Sequence, residues 1–221
     1  MSLSNWTSVV GTGVTVLLEA TAPIVGTGSL RINRSGSGAS GSFTYPISLP
    51  TGLAKGRLQT LFQVPTITAD NTSDQLASLF FMVSTLSSPL TIATMYGFSA
   101  ICRSSSPGPG VVGCMLGKAT GSQNVSNQLG SYSFPTIPPG TTIALQVDWA
   151  YDPLQFSGTQ IKARYKIGND FLSMIEVFNI IDTSSPYTTS VAEALGISTS
   201  IGPSTYSVLF DETSLFDLVA A

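Results

Sequence analysis

Apolar and polar positions alternate with period two along most of this chain. The pattern is clearest over 141–150. There Ile143, Leu145, Val147 and Trp149 fall on one side of an extended segment, and Thr142, Ala144, Gln146 and Asp148 on the other. Such a strand buries one face and wets the other. Over 160–167 the apolar set Ile161, Ala163, Tyr165 and Ile167 alternates with Lys162, Arg164 and Lys166, which predicts a second strand whose cations form a solvated face. Further strands are predicted over 14–19, 28–33, 41–47, 56–64, 75–84, 91–103, 111–118 and 204–219. Turn clusters separate them, among them Pro50-Thr51-Gly52, Ser106-Pro107-Gly108-Pro109-Gly110 and Pro138-Pro139-Gly140, in which Pro fixes φ and Gly permits positive φ. One short connector helix is predicted over 190–195, because Ser190 and Glu193 have capping-box spacing and Gly196 follows. The fold class is therefore all-β, a single antiparallel sandwich spanning 1–221, with Met1–Asn5 as a flexible N-terminus.

Composition sharpens this picture. The chain of 221 residues is 43% hydrophobic but only 10% charged, against about a quarter charged in ordinary globular proteins. Ser, Thr, Gly, Pro and Asn replace the missing charge, so the surface is expected to be neutral and hydroxyl-rich. Nine basic residues against twelve acidic ones, with no run of either sign, argue against nucleic-acid binding. The chain has no histidine, which removes the commonest general base and the commonest transition-metal ligand. The first residues lack a signal-peptide pattern and no apolar stretch is long enough to span a membrane, so a protein made in a cytoplasm, with no membrane partner, is expected.

Candidate chemistry is sparse. Asp148 and Asp152 bracket Trp149-Ala150-Tyr151, a carboxylate pair beside two aromatic rings. Trp149 and Tyr151 are candidate platforms for a ligand, since rings stack on sugars. A glycosidase pair also needs a cleft and a raised pKa, and the local pattern reads more simply as the polar face of a strand followed by a turn; no catalytic residue is assigned and no enzyme is expected. Asp70, Asn71 and Asp74 begin like a calcium loop, but Gln75 and Phe81 stand where an EF-hand needs Gly and Glu. They remain a loose calcium candidate, and no other cofactor or metal is expected. Cys102 and Cys114 flank the turn around Gly108. A hairpin centred there would set them opposite one another, which makes a disulfide geometrically possible; two buried thiols are the preferred reading, because a reducing compartment is expected.

Several segments together resemble a family. Trp6, the run Gly13-Val14-Thr15-Val16 and the stretch from Ala22 to Ile32 resemble the first strands of concanavalin-like and laminin-G-like jelly rolls. Phe210-Asp211-Glu212-Thr213-Ser214-Leu215-Phe216 is similar to their closing strand. The resemblance implies a jelly roll in which the last strand returns beside the first, and glycan binding in many members. By compositional analogy, a charge-poor, histidine-free, Ser/Thr/Gly-rich β domain looks like an accessory virion protein of tailed bacteriophages. The expectation is a non-enzymatic capsid decoration protein, assembled in the host cytoplasm and located in the virion. It would form a homo-oligomer and contact capsid or tail subunits. The alternative is a carbohydrate-binding, lectin-like module or a tail, fibre or baseplate component.

Overall fold

The computed structural model describes residues 14–34, 43–48, 53–67, 75–84, 94–103, 109–120, 127–188, 190–199 and 206–218. Thirteen strands are described: β1 Val14–Glu19, β2 Ser29–Arg34, β3 Phe43–Ser48, β4 Lys55–Gln63, β5 Gln75–Val83, β6 Thr94–Arg103, β7 Gly110–Thr120, β8 Asn127–Ile137, β9 Thr142–Asp152, β10 Gly158–Ile167, β11 Ile175–Asp182, β12 Ala192–Thr199 and β13 Tyr206–Asp217. They form a seven-stranded sheet, β1-β2-β13-β4-β9-β10-β11, and a six-stranded sheet, β3-β12-β5-β6-β7-β8. Every pairing is antiparallel. The protein is an all-β jelly-roll sandwich, and its last strand returns beside β2 and not beside the first strand as the resemblance implied, because β1 holds the sheet edge and pairs with β2 on that strand's other side. Among the described residues no helix is long and apolar enough to cross a membrane.

Three strands escape the sequence pattern, for different reasons. β8 and β11 lie at sheet edges, where one face and one flank are wet and alternation is weakly enforced. β8 carries Pro135, which an edge tolerates because that position need not donate to a neighbour. In β11 the register shifts between its pairs with Ala163 and Arg164, which breaks the period. The third, β12, replaces the predicted connector helix. Its Ala192-Glu193-Ala194-Leu195 are good helix formers, but they pair with β3 on one side and β5 on the other, and tertiary pairing overrides so short a propensity. The Ser190–Glu193 hydrogen bond does exist, with Ser190 Oγ donating to Glu193 Oε1 at 2.7 Å, in an extended chain.

The inner faces of the two sheets share one apolar cluster. Leu79, Phe81, Tyr96, Phe98, Leu116, Leu195 and Ile197 come from one side, and Leu30, Leu58, Phe62, Ile143, Leu145, Val147, Trp149 and Ile161 from the other. Phe81 stacks on Trp149 and on Tyr96, each with centroids 5.4 Å apart. Gly56 faces Trp149 across β4 and β9, and a Cβ there would run into the indole. The glycine is therefore the space the tryptophan occupies.

Cys102 and Cys114 are separate buried thiols. A bulge between Ile101 and Cys102 sets Cys102 against Val111, while Cys114 stands opposite Ala100. The hairpin thus slides the two cysteines out of register. Burial pushes the Cys114 thiol up to about 12, leaving almost no thiolate near neutral pH. We expect a thiol reagent to leave the native protein unmodified and to titrate two thiols after denaturation without reductant. Recovery of no thiol under those conditions would mean a bridge.

Candidate functional site

The outward face of the seven-stranded sheet collects the chemistry. In one row across it stand Phe216 of β13, Arg57 of β4, Asp148 of β9, Lys162 of β10 and Asn179 of β11, each opposite the next in register. The adjacent row runs Lys55, Ala150, Gln160 and Ile181. Alternation puts all of these opposite the core positions of the same strands.

Asp148 is the hub of the first row. Arg57 donates to it through Nε at 2.7 Å and through Nη2 at 2.9 Å, Arg164 through Nη1 at 2.7 Å, and Gln146 through Nε2 at 3.4 Å. Arg164 also reaches Glu176 at 3.1 Å. Burial pushes the Asp148 carboxyl up, but the hydrogen bonds from Arg57 and Arg164 outweigh it and hold the group below its usual value. Asp148 is therefore a fixed anion with both oxygens occupied, unsuited to moving protons. Asp152 is committed elsewhere. It accepts from the amides of Leu154 and Gln155 at 3.0 and 2.9 Å, and these turn bonds, Gln155 first, lower its pKa. It ends a strand by organising the turn. The bracketing carboxylates are thus brought to the same strand and given structural partners.

Ala150 opens a gap beside them. Its methyl is too short to fill the space between the longer side chains, and a cleft of about 170 Å³ results, lined by Asp148, Trp149, Ala150, Gln160, Lys162 and Leu218. Leu218 and Phe216 at one side, and Ile181 at the other, are exposed apolar groups. Ammonium, amide and apolar surfaces thus lie within one shallow depression, a combination that can place hydroxyls and one face of a pyranose ring. A second cleft, of about 230 Å³, lies at the other end of β4, lined by Arg31, Gln63, Pro65, Thr66, Gly140 and Ser207 among others. Its cation is already engaged, since Arg31 pairs with Glu19.

The aromatic candidates fall otherwise than the sequence suggests. Trp149 is buried in the core, 1% exposed, so its ring is no platform. Tyr151 is partly buried and packs against the same cluster. Alternation explains both, because the face that carries Asp148 and Ala150 is the reverse of theirs. The exposed ring in the row beside the cleft is Phe216, which sequence reasoning passed over. Its signal was the similarity of 210–216 to a closing strand, which puts alternate residues of that strand outside. The calcium candidate Asp70, Asn71 and Asp74, and the N-terminal Met1–Asn5, lie outside the described residues. Among the described residues no group of three or more Cys, Asp or Glu could hold a metal ion.

No family model matches the sequence, and no curated protein matches it. Solved structures do match. An alginate lyase from Aplysia kurodai aligns at 9% identity with a TM-score of 0.60, over 93% of this chain and 91% of that one. A Bacillus subtilis protein with a galectin-like fold aligns at 11% and 0.58, over 97% and 90%. The exoplasmic domain of VIP36, in a form bound to Ca2+ and Man3GlcNAc, aligns at 9% and 0.54, over 100% and 86%. These likenesses show the fold, a lectin-like jelly roll. They also correct the expectation that the chain is no enzyme, because alginate lyases are built on this same sandwich. The missing histidine removes one kind of base; lysine and tyrosine can also serve.

Proposed function

We propose that this protein recognises a polysaccharide, with the cleft over Ala150 as the seat of the ligand. The observation that carries the reading is the cleft itself, in which Lys162, Gln160 and Asp148 meet the apolar Leu218 around a small floor. A sandwich fold shared with a Man3GlcNAc-bound lectin domain and with alginate lyases supports it. Composition alone supports a place on a phage particle, as capsid decoration or in a tail, and the glycan reading is preferred because a built site speaks for it.

Affinity electrophoresis through gels containing different polysaccharides tests the reading. Wild type should be retarded by at least one, and Ala150→Trp, which fills the cleft from an outward position, should run free. Retardation unchanged by Ala150→Trp would move the site elsewhere, and no retardation in any gel would reject it. A second reading, cleavage of the bound chain, is favoured by the alginate lyases of the same fold. It predicts that incubation with a polyuronate generates the ultraviolet absorbance of a conjugated unsaturated uronate, and a flat trace would reject it.

A further inference from the structure

Lys162 stands apart from the other cations of its sheet whose side chains are described. Arg31 pairs with Glu19, Lys55 with Asp152, Arg57 with Asp148, Arg164 with Asp148 and Glu176, and Lys166 with Asp170. Lys162 has no hydrogen bond or ion pair among the described residues. Its register partner on β9 is Asp148, yet two arginines and an amide already occupy that carboxylate. On its other flank the register partner is the neutral Asn179. Lys162 therefore lines the cleft, with Gln160, as a half-buried residue whose ammonium no described residue compensates.

We propose that the cleft takes an anionic sugar, a uronic acid unit, whose carboxylate binds Lys162. This rests on the glycan reading above and adds to it the charge of the ligand. A carboxylate would supply the counter-charge that Asp148 cannot. Gln160, whose Nε2 donates one hydrogen to Asn179 Oδ1 at 3.2 Å, keeps its second N–H for the ligand in the same cleft, and Leu218 offers an apolar surface for the ring. The charge-assisted contact is the part of the site that separates a uronate from a neutral hexose.

The test uses the full chain against alginate, a sulfated galactan and a neutral β-glucan, by calorimetry at low and at physiological salt, with wild type, Lys162→Gln and Lys162→Arg. Lys162 has no partner among the described residues to lose, so unchanged melting temperatures are expected and serve as the folding control. The expected result is that wild type prefers alginate, that Lys162→Gln weakens alginate about tenfold while leaving any β-glucan binding unchanged, that Lys162→Arg retains most of the affinity, and that salt weakens the wild type more than Lys162→Gln. Equal alginate affinity in wild type and Lys162→Gln would overturn the inference, as would tighter binding of the neutral glucan or of the sulfated galactan; in each case the glycan reading stands. Binding of none of the three would overturn the inference and count against that reading as well.

Discussion

Replacing Lys118 by Met is expected to destabilise the protein by about 3–5 kcal/mol, the range for breaking a buried ion pair. Lys118 projects from β7 to the far sheet, where its ammonium pairs with Asp182 at the end of β11; the two side chains are 7% and 2% exposed. The ammonium also donates to the carbonyls of Ser184 and Ser185. It lies over the rings of Tyr96 and Tyr187, 5.8 and 5.2 Å from their centroids. Tyr96 donates its hydroxyl to Asp182 at 2.6 Å and accepts from the amide of Tyr187 at 3.0 Å. Burial, then that bond to Asp182, pushes the Tyr96 phenol well above its ordinary value. Without the cation, Asp182 becomes a buried charge with too few donors, and the segment after β11 loses its tether. Chemical denaturation measures the loss. Lys118→Met with Asp182→Asn should recover part of it, since the double variant buries no charge. A loss below about 1 kcal/mol in the single variant would contradict this account of the strut.

The second large effect depends on pH. Glu193 is wholly buried. Two residues of β5, Phe81 and Met82, stand opposite it at a bulge, and Met82 has φ 52. Oε1 accepts from Ser190, while Oε2 has no partner within hydrogen-bond geometry among the described residues. Burial raises the carboxyl to about 7, against the lowering bonds from Ser190 and the Met82 amide. The native state therefore binds the proton more tightly than the unfolded chain, whose carboxyl titrates near 4.5. Between those two values stability falls as pH rises, by on the order of 3 kcal/mol, and then levels off. Glu193→Gln should flatten that slope and be the more stable protein at pH 8. Asp148 acts in the opposite sense and at lower pH, because its depressed pKa withdraws stability only in acid. Unfolding curves between pH 4 and 8 with the same slope in both proteins would contradict the assignment.

Much of the architecture was legible from alternation. Residues 14–19 are β1 as the pattern has it, and the strands around Ile143–Trp149 and Ile161–Tyr165 carry the predicted inner faces, while Ile167, which the pattern put on the same face, is exposed at the end of β10. What the pattern could not supply was anything set by register between distant strands. Arg57 and Asp148 are 91 residues apart, and neither has a local neighbour that announces the other. Lys162, Arg164 and Lys166 looked alike as a solvated face; only the pairing of β10 with β9 and β11 separates the two committed cations from the uncommitted one. The cleft is a matter of what is missing. Ala150 is an unremarkable residue until longer side chains stand on both sides of it. Trp149 and Tyr151 attracted notice because aromatic rings suggest sugar binding, yet the same alternation that predicted their strand turns them to the core side of it.

Backbone amide shifts followed during titration with an alginate oligosaccharide test the location of the ligand most directly. The account predicts saturable changes centred on Ala150, Gln160, Lys162 and Leu218, on the outward face of the seven-stranded sheet. Changes confined to β5, β6 and β7 of the other sheet would contradict it.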